Sequence, residues 1–251
     1  MKKLALTVAL SAALLSGCAQ VPPNAGENPA DPYESFNRNV WAFNDTLDRA
    51  IVKPVSEFYV DWTPEFVQTG VSNFFDNLDT PGSAVNNLLQ GKVERGVRSV
   101  FRFLVNSTLG IAGLFDVASH IGLEDAPEDF GQTLAVWGVG QGSYLVLPFL
   151  GPTTTRDWTR YPVSWGTDPL TYIMWDEDWY WSVPILAAEG IDARARLLSL
   201  ESIRAQTVDD YAAIRDAYLA MRERAVRDGA EVSSEEELET LTPLQFDDEE
   251  E

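Results

Sequence analysis

Asp31-Pro32-Tyr33-Glu34-Ser35-Phe36-Asn37-Arg38-Asn39-Val40-Trp41-Ala42-Phe43-Asn44-Asp45-Thr46-Leu47 is the stretch that sets the class of this chain. Asp31 suits a helix N-cap, Pro32 the first helical position, and Glu34 completes a D-x-x-E pattern resembling a capping box. Phe36, Val40, Phe43, Leu47 and Ile51 recur at spacings of 4, 3, 4 and 4, which puts one apolar face on a helix. Pro54 is expected to end or kink that helix.

The residues downstream repeat the pattern. Thr63-Pro64 opens a second helix with Val67, Val71, Phe74 and Leu78 along one face, and Asp79-Thr80-Pro81 is expected to interrupt it. Residues 83–90 and 93–105 read as helical with a break near Gly91, and residues 106–113 as a turn-rich joint. Residues 125–151 carry few helix signals and many glycines, with 144–150 a candidate extended piece. Later helices are expected at 183–199 and 207–228. The last has a T-x-x-D start (Thr207, Asp210), a face of Tyr211, Ile214, Tyr218, Met221 and Ala225, and Gly229 as its stop. Strand signals are few and no internal repeat stands out. The expected class is mainly α, with one helical domain at 31–228.

Outside that domain the ends of the chain have their own character. Met1-Lys2-Lys3 is a basic start, and residues 4–15 are apolar apart from Thr7 and Ser11, which fits a signal peptide at 1–17. Leu15-Ser16-Gly17-Cys18 resembles the bacterial lipobox, making Cys18 the expected acylated N-terminus of the mature protein. Several acyl chains, at about 0.8 kcal/mol per buried CH₂, anchor stably where one does not. Ala19 follows the cysteine, not the Asp that resembles an inner-membrane retention signal, so the outer membrane is the expected destination. Residues 18–30 read as a Pro/Gly/Asn-rich tether. Residues 229–251 read as a disordered tail, with ten acidic residues and no basic one. Beyond residue 17 no run approaches the length needed to span a bilayer as a helix.

Composition excludes several functions. The 251 residues hold 18 Lys+Arg against 39 Asp+Glu, a net charge of −21, so no basic footprint for nucleic acid exists. One Cys and one His rule out a disulfide framework and a Cys/His zinc site. Gly138, Gly140 and Gly142 miss the dinucleotide pattern, because position 143 is Ser and no strand–helix context surrounds them; they suit a hinge or a plain turn. His120 is the sole imidazole, and no G-x-S-x-G elbow accompanies it. No catalytic residue, metal or cofactor is expected.

Two clusters remain. Trp158, Tyr161, Trp165, Tyr172, Trp175, Trp179, Tyr180 and Trp181 fall within 24 residues, and suit either a membrane–water boundary or a Trp-rich core. Arg95, Arg98 and Arg102 share one helical face, with Lys92 just before. They suit phosphate groups, or pairing with the protein's own carboxylates.

The ordered blocks together resemble the MlaA (VacJ) family of outer-membrane lipoproteins over about residues 31–225. The blocks are Asp31 to Arg38, Phe43-Asn44, Leu47-Asp48, Lys53-Pro54-Val55, Asn73-Phe74, Asn77-Leu78, Val85 to Gly91, and Arg102-Phe103 with Asn106, Gly110 and Gly113. They continue through Asp116-Val117-Ala118, Glu128 to Leu134, Trp137 to Tyr144, Leu147-Pro148, Gly151-Pro152 and Arg156-Asp157. Trp158-Thr159-Arg160 departs from the family, which often has glycine there, and the acidic tail is not shared.

The resemblance implies a ring-like arrangement of amphipathic helices lying in the inner leaflet of the outer membrane, with a central polar channel. It implies association with a trimeric porin, removal of mislocalised phospholipids from the outer leaflet, and their transfer to a periplasmic carrier of the MlaC type. It implies no enzymatic activity. Asn44, Gly138, Gly140 and Gly142 are then candidates for the channel or gate. Trp158, Trp165, Trp175, Trp179 and Trp181 are candidates for the membrane interface, and Arg95, Arg98 and Arg102 are weaker ones for headgroup or porin contact. A structural porin-associated lipoprotein and a lipoprotein phospholipase using His120 are the alternatives.

Overall fold

The structure, a computed structural model, describes residues 21–175 and 179–228, leaving out the side chains of 179–181. Cys18, the signal peptide, most of the tether and the acidic tail lie outside the described residues. Helices α1 (Glu34–Leu47) and α2 (Lys53–Trp62) are joined by a π-helical turn, Asp48–Val52. Pro54 therefore does not end the helix. It occupies the first turn of α2, where its missing N–H is not needed, and the widened turn before it absorbs the change of phase.

Helix α1 starts later than its capping pattern suggests. Tyr33 holds the cap position and no side chain caps the helix. Asp31 is fully buried instead. Its carboxylate accepts hydrogen bonds from Asn37 Nδ2 (2.8 Å) and the Tyr211 hydroxyl (2.5 Å), with Arg215 Nη1 at 3.4 Å. A carboxylate committed to three tertiary donors is not free to cap.

Helix α3 (Glu65–Leu89) runs unbroken through Pro81, against the expected interruption. Among the neighbouring groups, Thr80 Oγ1 donates to the Asp76 carbonyl (3.0 Å), and packing against α4 (Val93–Thr108) holds the continuous rod together. The two helices approach closely at Gly96, where a Cβ would lie 2.7 Å from the Leu88 side chain.

A one-turn helix α5 (Val117–His120) and α6 (Phe130–Val136) follow. The second falls in a region expected to lack helix. Its start is a capping box: Asp129 Oδ1 accepts from the Gln132 amide (2.9 Å), and Gln132 Oε1 from the Asp129 amide (3.2 Å). Strands β1 (Tyr144–Leu147) and β2 (Gly151–Thr154) form an antiparallel hairpin with Tyr144 opposite Thr154 and Leu147 opposite Gly151. Then come α7 (Arg160–Thr167), α8 (Pro169–Ile173), α9 (Trp179–Arg196), α10 (Glu201–Arg204) and α11 (Asp210–Val226). The fold is mainly α.

Helix α11 is capped by Asp209, whose side chain accepts from the Ala212 amide, so it begins two residues beyond the Thr207 start. Its inner face is not the apolar one expected. Tyr211, Arg215, Tyr218 and Arg222 are buried while Met221 is exposed. Arg222 donates to both Asp129 oxygens (2.6 and 2.9 Å) and to Asp157 Oδ2 (2.9 Å), tying α11 to α6 and the segment after β2. Burial of paired, hydrogen-bonded arginines satisfies the rule that interior charge must be compensated.

The apolar core is correspondingly small: Val40, Tyr144, Val146, Tyr211 and Tyr218, with Trp41 and Leu219 packed on it. Among the described residues, eight hydrophobic side chains are buried and twenty-three polar or charged ones are. No described helix is long and apolar enough to cross a membrane.

Candidate functional site

The helices present their stripes in reverse of a water-soluble protein. On α4, Gly96, Ser99, Arg102 and Asn106 point inward at spacings of 3, 3 and 4, while Val93, Val97, Val100, Phe101 and Leu104 are exposed. On α3, Asn77, Thr80, Ser83, Asn86 and Asn87 are buried, and Val85, Leu88 and Leu89 are exposed. On α2, Ser56 is fully buried, and its hydroxyl donates to the Ile191 carbonyl. Val55, Phe58 and Trp62 face outward there, the last two stacked at 5.7 Å. In water such a surface is unfavourable at about 25 cal/mol per Å² of apolar area, whereas against hydrocarbon the cost vanishes. Hydrogen bonds cross the polar interior: Asn87 Nδ2 reaches the Ala126 carbonyl and Thr133 Oγ1 reaches Asn86 Oδ1.

Inside this frame, α1 holds the hairpin by two asparagines seven residues apart. Asn37 Nδ2 donates to the Tyr144 carbonyl (3.0 Å), and Asn37 Oδ1 accepts from the Val146 amide (3.0 Å). Asn44 Nδ2 donates to the Leu147 carbonyl (2.9 Å), and Asn44 Oδ1 accepts from the Phe149 amide (2.9 Å). Seven helical residues advance about 10.5 Å and three strand residues about 10 Å, so the two periods coincide and each amide meets the same backbone pattern. Phe149, at φ 65° in the hairpin turn, packs edge-on against Phe43 at 5.4 Å. Sequence reading singled out Asn44 and missed Asn37. The signal available was two asparagines at heptad spacing on one helix.

The glycine segment leads into β1. Gly138 has φ +90° and Gly142 φ +69°, and a Cβ on Gly142 would lie 1.9 Å from Thr155 Oγ1. Gly140 has open space around it. The three glycines thus differ: two need the left-handed region, and one of these also needs the absence of a side chain.

The basic stripe divides as well. Arg102 is buried and donates to Asp116 Oδ2, Ser119 Oγ and the Leu123 carbonyl, each at 2.7 Å. Arg95 pairs with Asp228 (2.7 Å), which also takes Lys92 (2.5 Å). Among the described residues Arg98 has no carboxylate partner, and its Nε is buried unbonded. Burial would raise the pKa of Asp116, but hydrogen bonds from Ser119, Asn106 and Arg102 outweigh it and hold the carboxyl down to about 2. Asp79 goes the other way. It reaches solvent, yet enough protein surrounds its carboxyl to push it up to about 6, reinforced by Glu189, Asp168 and Asp76 and opposed by Arg196.

The MlaA lipoprotein family model matches residues 29–225 of this chain. The chain belongs to the MlaA lipoprotein family. Among relatives, the intermembrane phospholipid transport system lipoprotein MlaA of Escherichia coli K12 is 36% identical over 240 residues, covering 91% of this chain and 90% of that protein. An uncharacterized protein of Rickettsia felis is 41% identical over 199 residues, 78% of each chain. A solved chain from work on the structural basis for maintenance of bacterial outer membrane lipid asymmetry is 35% identical. It superposes with a TM-score of 0.68 over 80% of this chain and 99% of that one.

In this MlaA lipoprotein family member, Trp158, Trp165 and Trp175 are exposed, while the side chains of Trp179 and Trp181 lie outside the described residues. His120 ends the short helix α5 and is exposed, its Nδ1 2.8 Å from the Asp116 carbonyl. Among the described residues no group of three His, Cys, Asp or Glu is arranged to hold a metal ion.

Proposed function

We propose that this MlaA-family lipoprotein removes mislocalised phospholipids from the outer leaflet of the outer membrane and passes them, through a polar interior, to a periplasmic carrier of the MlaC type. The observation that carries this reading is the inverted surface: apolar stripes outward on α2, α3 and α4, polar and charged side chains inward, and no described helix able to span the bilayer. A headgroup crossing hydrocarbon unaided meets a large charge penalty, and a hydrogen-bonding interior inside a lipid-compatible shell removes it. The protein acts without catalysis, anchored at Cys18 on the periplasmic side and associated with a trimeric porin. Asn44 with Gly138, Gly140 and Gly142 forms the gate of the channel. Trp158, Trp165, Trp175, Trp179 and Trp181 set its depth, and of the basic stripe Arg98 has the guanidinium left for a headgroup or the porin.

The test is a deletion strain assayed for outer-leaflet phospholipid. Deletion should raise that pool, the intact gene should restore it, and Cys18→Ala should not. A deletion that leaves the pool unchanged while porin association persists would overturn the transport reading in favour of a structural lipoprotein. Fatty acid released from vesicles by the purified protein, and lost with His120→Ala, would overturn the non-catalytic one.

A further inference from the structure

Sixteen Lys and Arg side chains fall among the described residues. Thirteen of them have a carboxylate within 4.0 Å. The three without one among the described residues are Arg98, Arg160 and Arg224. Arg224 is exposed on α11, where water compensates it. Arg160, at the start of α7, is half-buried and so only partly hydrated. Its Nη2 donates to the Tyr161 hydroxyl (2.8 Å), and its guanidinium lies 4.7 Å from the centre of the Tyr161 ring. The rest of the fork makes no hydrogen bond among the described residues. Asp129, an acid whose charge acts on it, is already held by both terminal nitrogens of Arg222.

Apolar surface adjoins. The Tyr161 hydroxyl donates to the Leu150 carbonyl (3.3 Å), which brings Arg160 beside the hairpin turn where Phe149 and Leu150 are exposed, and Trp158 is exposed two residues before it.

We propose that Arg160 is a binding site for the phosphate of a phospholipid headgroup, whose acyl chains lie along Phe149, Leu150 and Trp158. A guanidinium fork with free donors matches phosphate oxygens bidentately, and an amphiphile needs the anion site and the apolar surface side by side. The inference rests on the transport reading and gives it a headgroup contact at a position where the sequence departs from the family resemblance.

The test uses the full lipoprotein in maltoside detergent and follows tryptophan quenching by brominated short-chain phosphatidylglycerol. The matching brominated diacylglycerol and inorganic phosphate serve as the other probes. Arg160→Gln should weaken phosphatidylglycerol binding about tenfold, the loss expected for one charge-assisted contact, and leave diacylglycerol binding unchanged. Arg160→Lys, which keeps the charge and loses the fork, should fall between, and Arg224→Gln should match the wild type. Equal affinity of Arg160→Gln and wild type at unchanged circular dichroism overturns the proposal. If Arg160→Gln does not fold, Arg160→Lys indistinguishable from wild type overturns it instead. Inorganic phosphate competing as strongly as the lipid would overturn the lipid assignment and leave a free-phosphate site. The deletion assay separates the two levels. A deletion phenotype fully rescued by Arg160→Gln, with wild-type binding, removes this site and leaves transport standing; no deletion phenotype removes transport, while the binding ratio still reads the site.

Discussion

Single residues decide how the hairpin is held. Asn37 and Asn44 each spend both ends of one amide on the backbone of β1 and its turn, so neither can be replaced by a group of like shape without orphaning a donor and an acceptor. Asn37 is fully buried and also donates to Asp31 Oδ1, so Asn37→Ala should cost about 3–5 kcal/mol, the sum expected for three unmade buried bonds. Asn44 is only partly buried, and Asn44→Ala should cost about 1 kcal/mol and act mainly by freeing the turn. Hydrogen exchange at the Val146 and Phe149 amides checks both: the first substitution should expose Val146, the second Phe149 alone. Identical protection in the variants would show that the strand holds without its clamp. The glycines separate in the same way. Gly142→Val meets a left-handed φ and the Thr155 hydroxyl, so it should lower the melting temperature and abolish lipid removal. Gly140→Val should fold as the wild type, and any loss of lipid removal in that variant then reports on the gate itself. These roles were half legible. Asn44 stands off the apolar stripe of α1 and drew notice, while Asn37 did not, because the strand backbone it holds is more than 100 residues away.

At the scale of elements, periodicity located the stripes and could not orient them. The spacing of Val93, Val97, Val100 and Leu104 marks α4 as amphipathic, but it carries no sign, and the habit of facing apolar residues inward fails when the solvent is lipid. The helix at Phe130–Val136 escaped notice because its signal is one capping box at the head of seven residues. Pro81 misled because tertiary packing held the helix across a residue that breaks isolated ones. The buried arginines of α11 followed the same logic as the outward-facing valines of α4, since hydropathy alone put Met221 on the inner face, which Arg222 takes. If the outward face of α4 meets acyl chains, then Phe101→Asp, at an exposed position, should leave circular dichroism and melting in detergent unchanged. In vesicle flotation of the non-acylated chain it should cut the bound fraction at least tenfold, as a charge in hydrocarbon costs about 2–3 kcal/mol or more. Phe101→Leu should float as the wild type. A floating aspartate variant would remove α4 from the lipid contact.

For the molecule as a whole, the charge balance sets a pH window of stability. Asp116, held at about 2 against a usual 3.8, is joined by Asp157, Asp209 and Glu201, all held below their ordinary values by hydrogen bonds or ion pairs that outweigh burial. A lowered carboxyl contributes stability above its unfolded pKa and loses it as pH falls through the folded one, so these four destabilise the fold progressively below about pH 4. Asp79 has the opposite sign. Its folded pKa of about 6 lies above the unfolded 3.8, so its contribution is complete below pH 4 and is lost as pH rises through 6. Glu189 and Asp168 are raised beside it and add to the same limb. The melting temperature in detergent should therefore be highest near pH 4–5, decline gently towards pH 7 and fall steeply on the acid side. Removing the charge tests the assignment. Asp79→Asn should raise the melting temperature at pH 7.5 by about 2–4 °C, roughly 1 kcal/mol once solvent screening of an exposed group is allowed for. At pH 4.5, where Asp79 is already protonated, the same substitution should change nothing. An equal effect at both pH values would mean that the amide acts through packing, and that the acidic neighbours on α3, α8 and α9 do not set the upper limb.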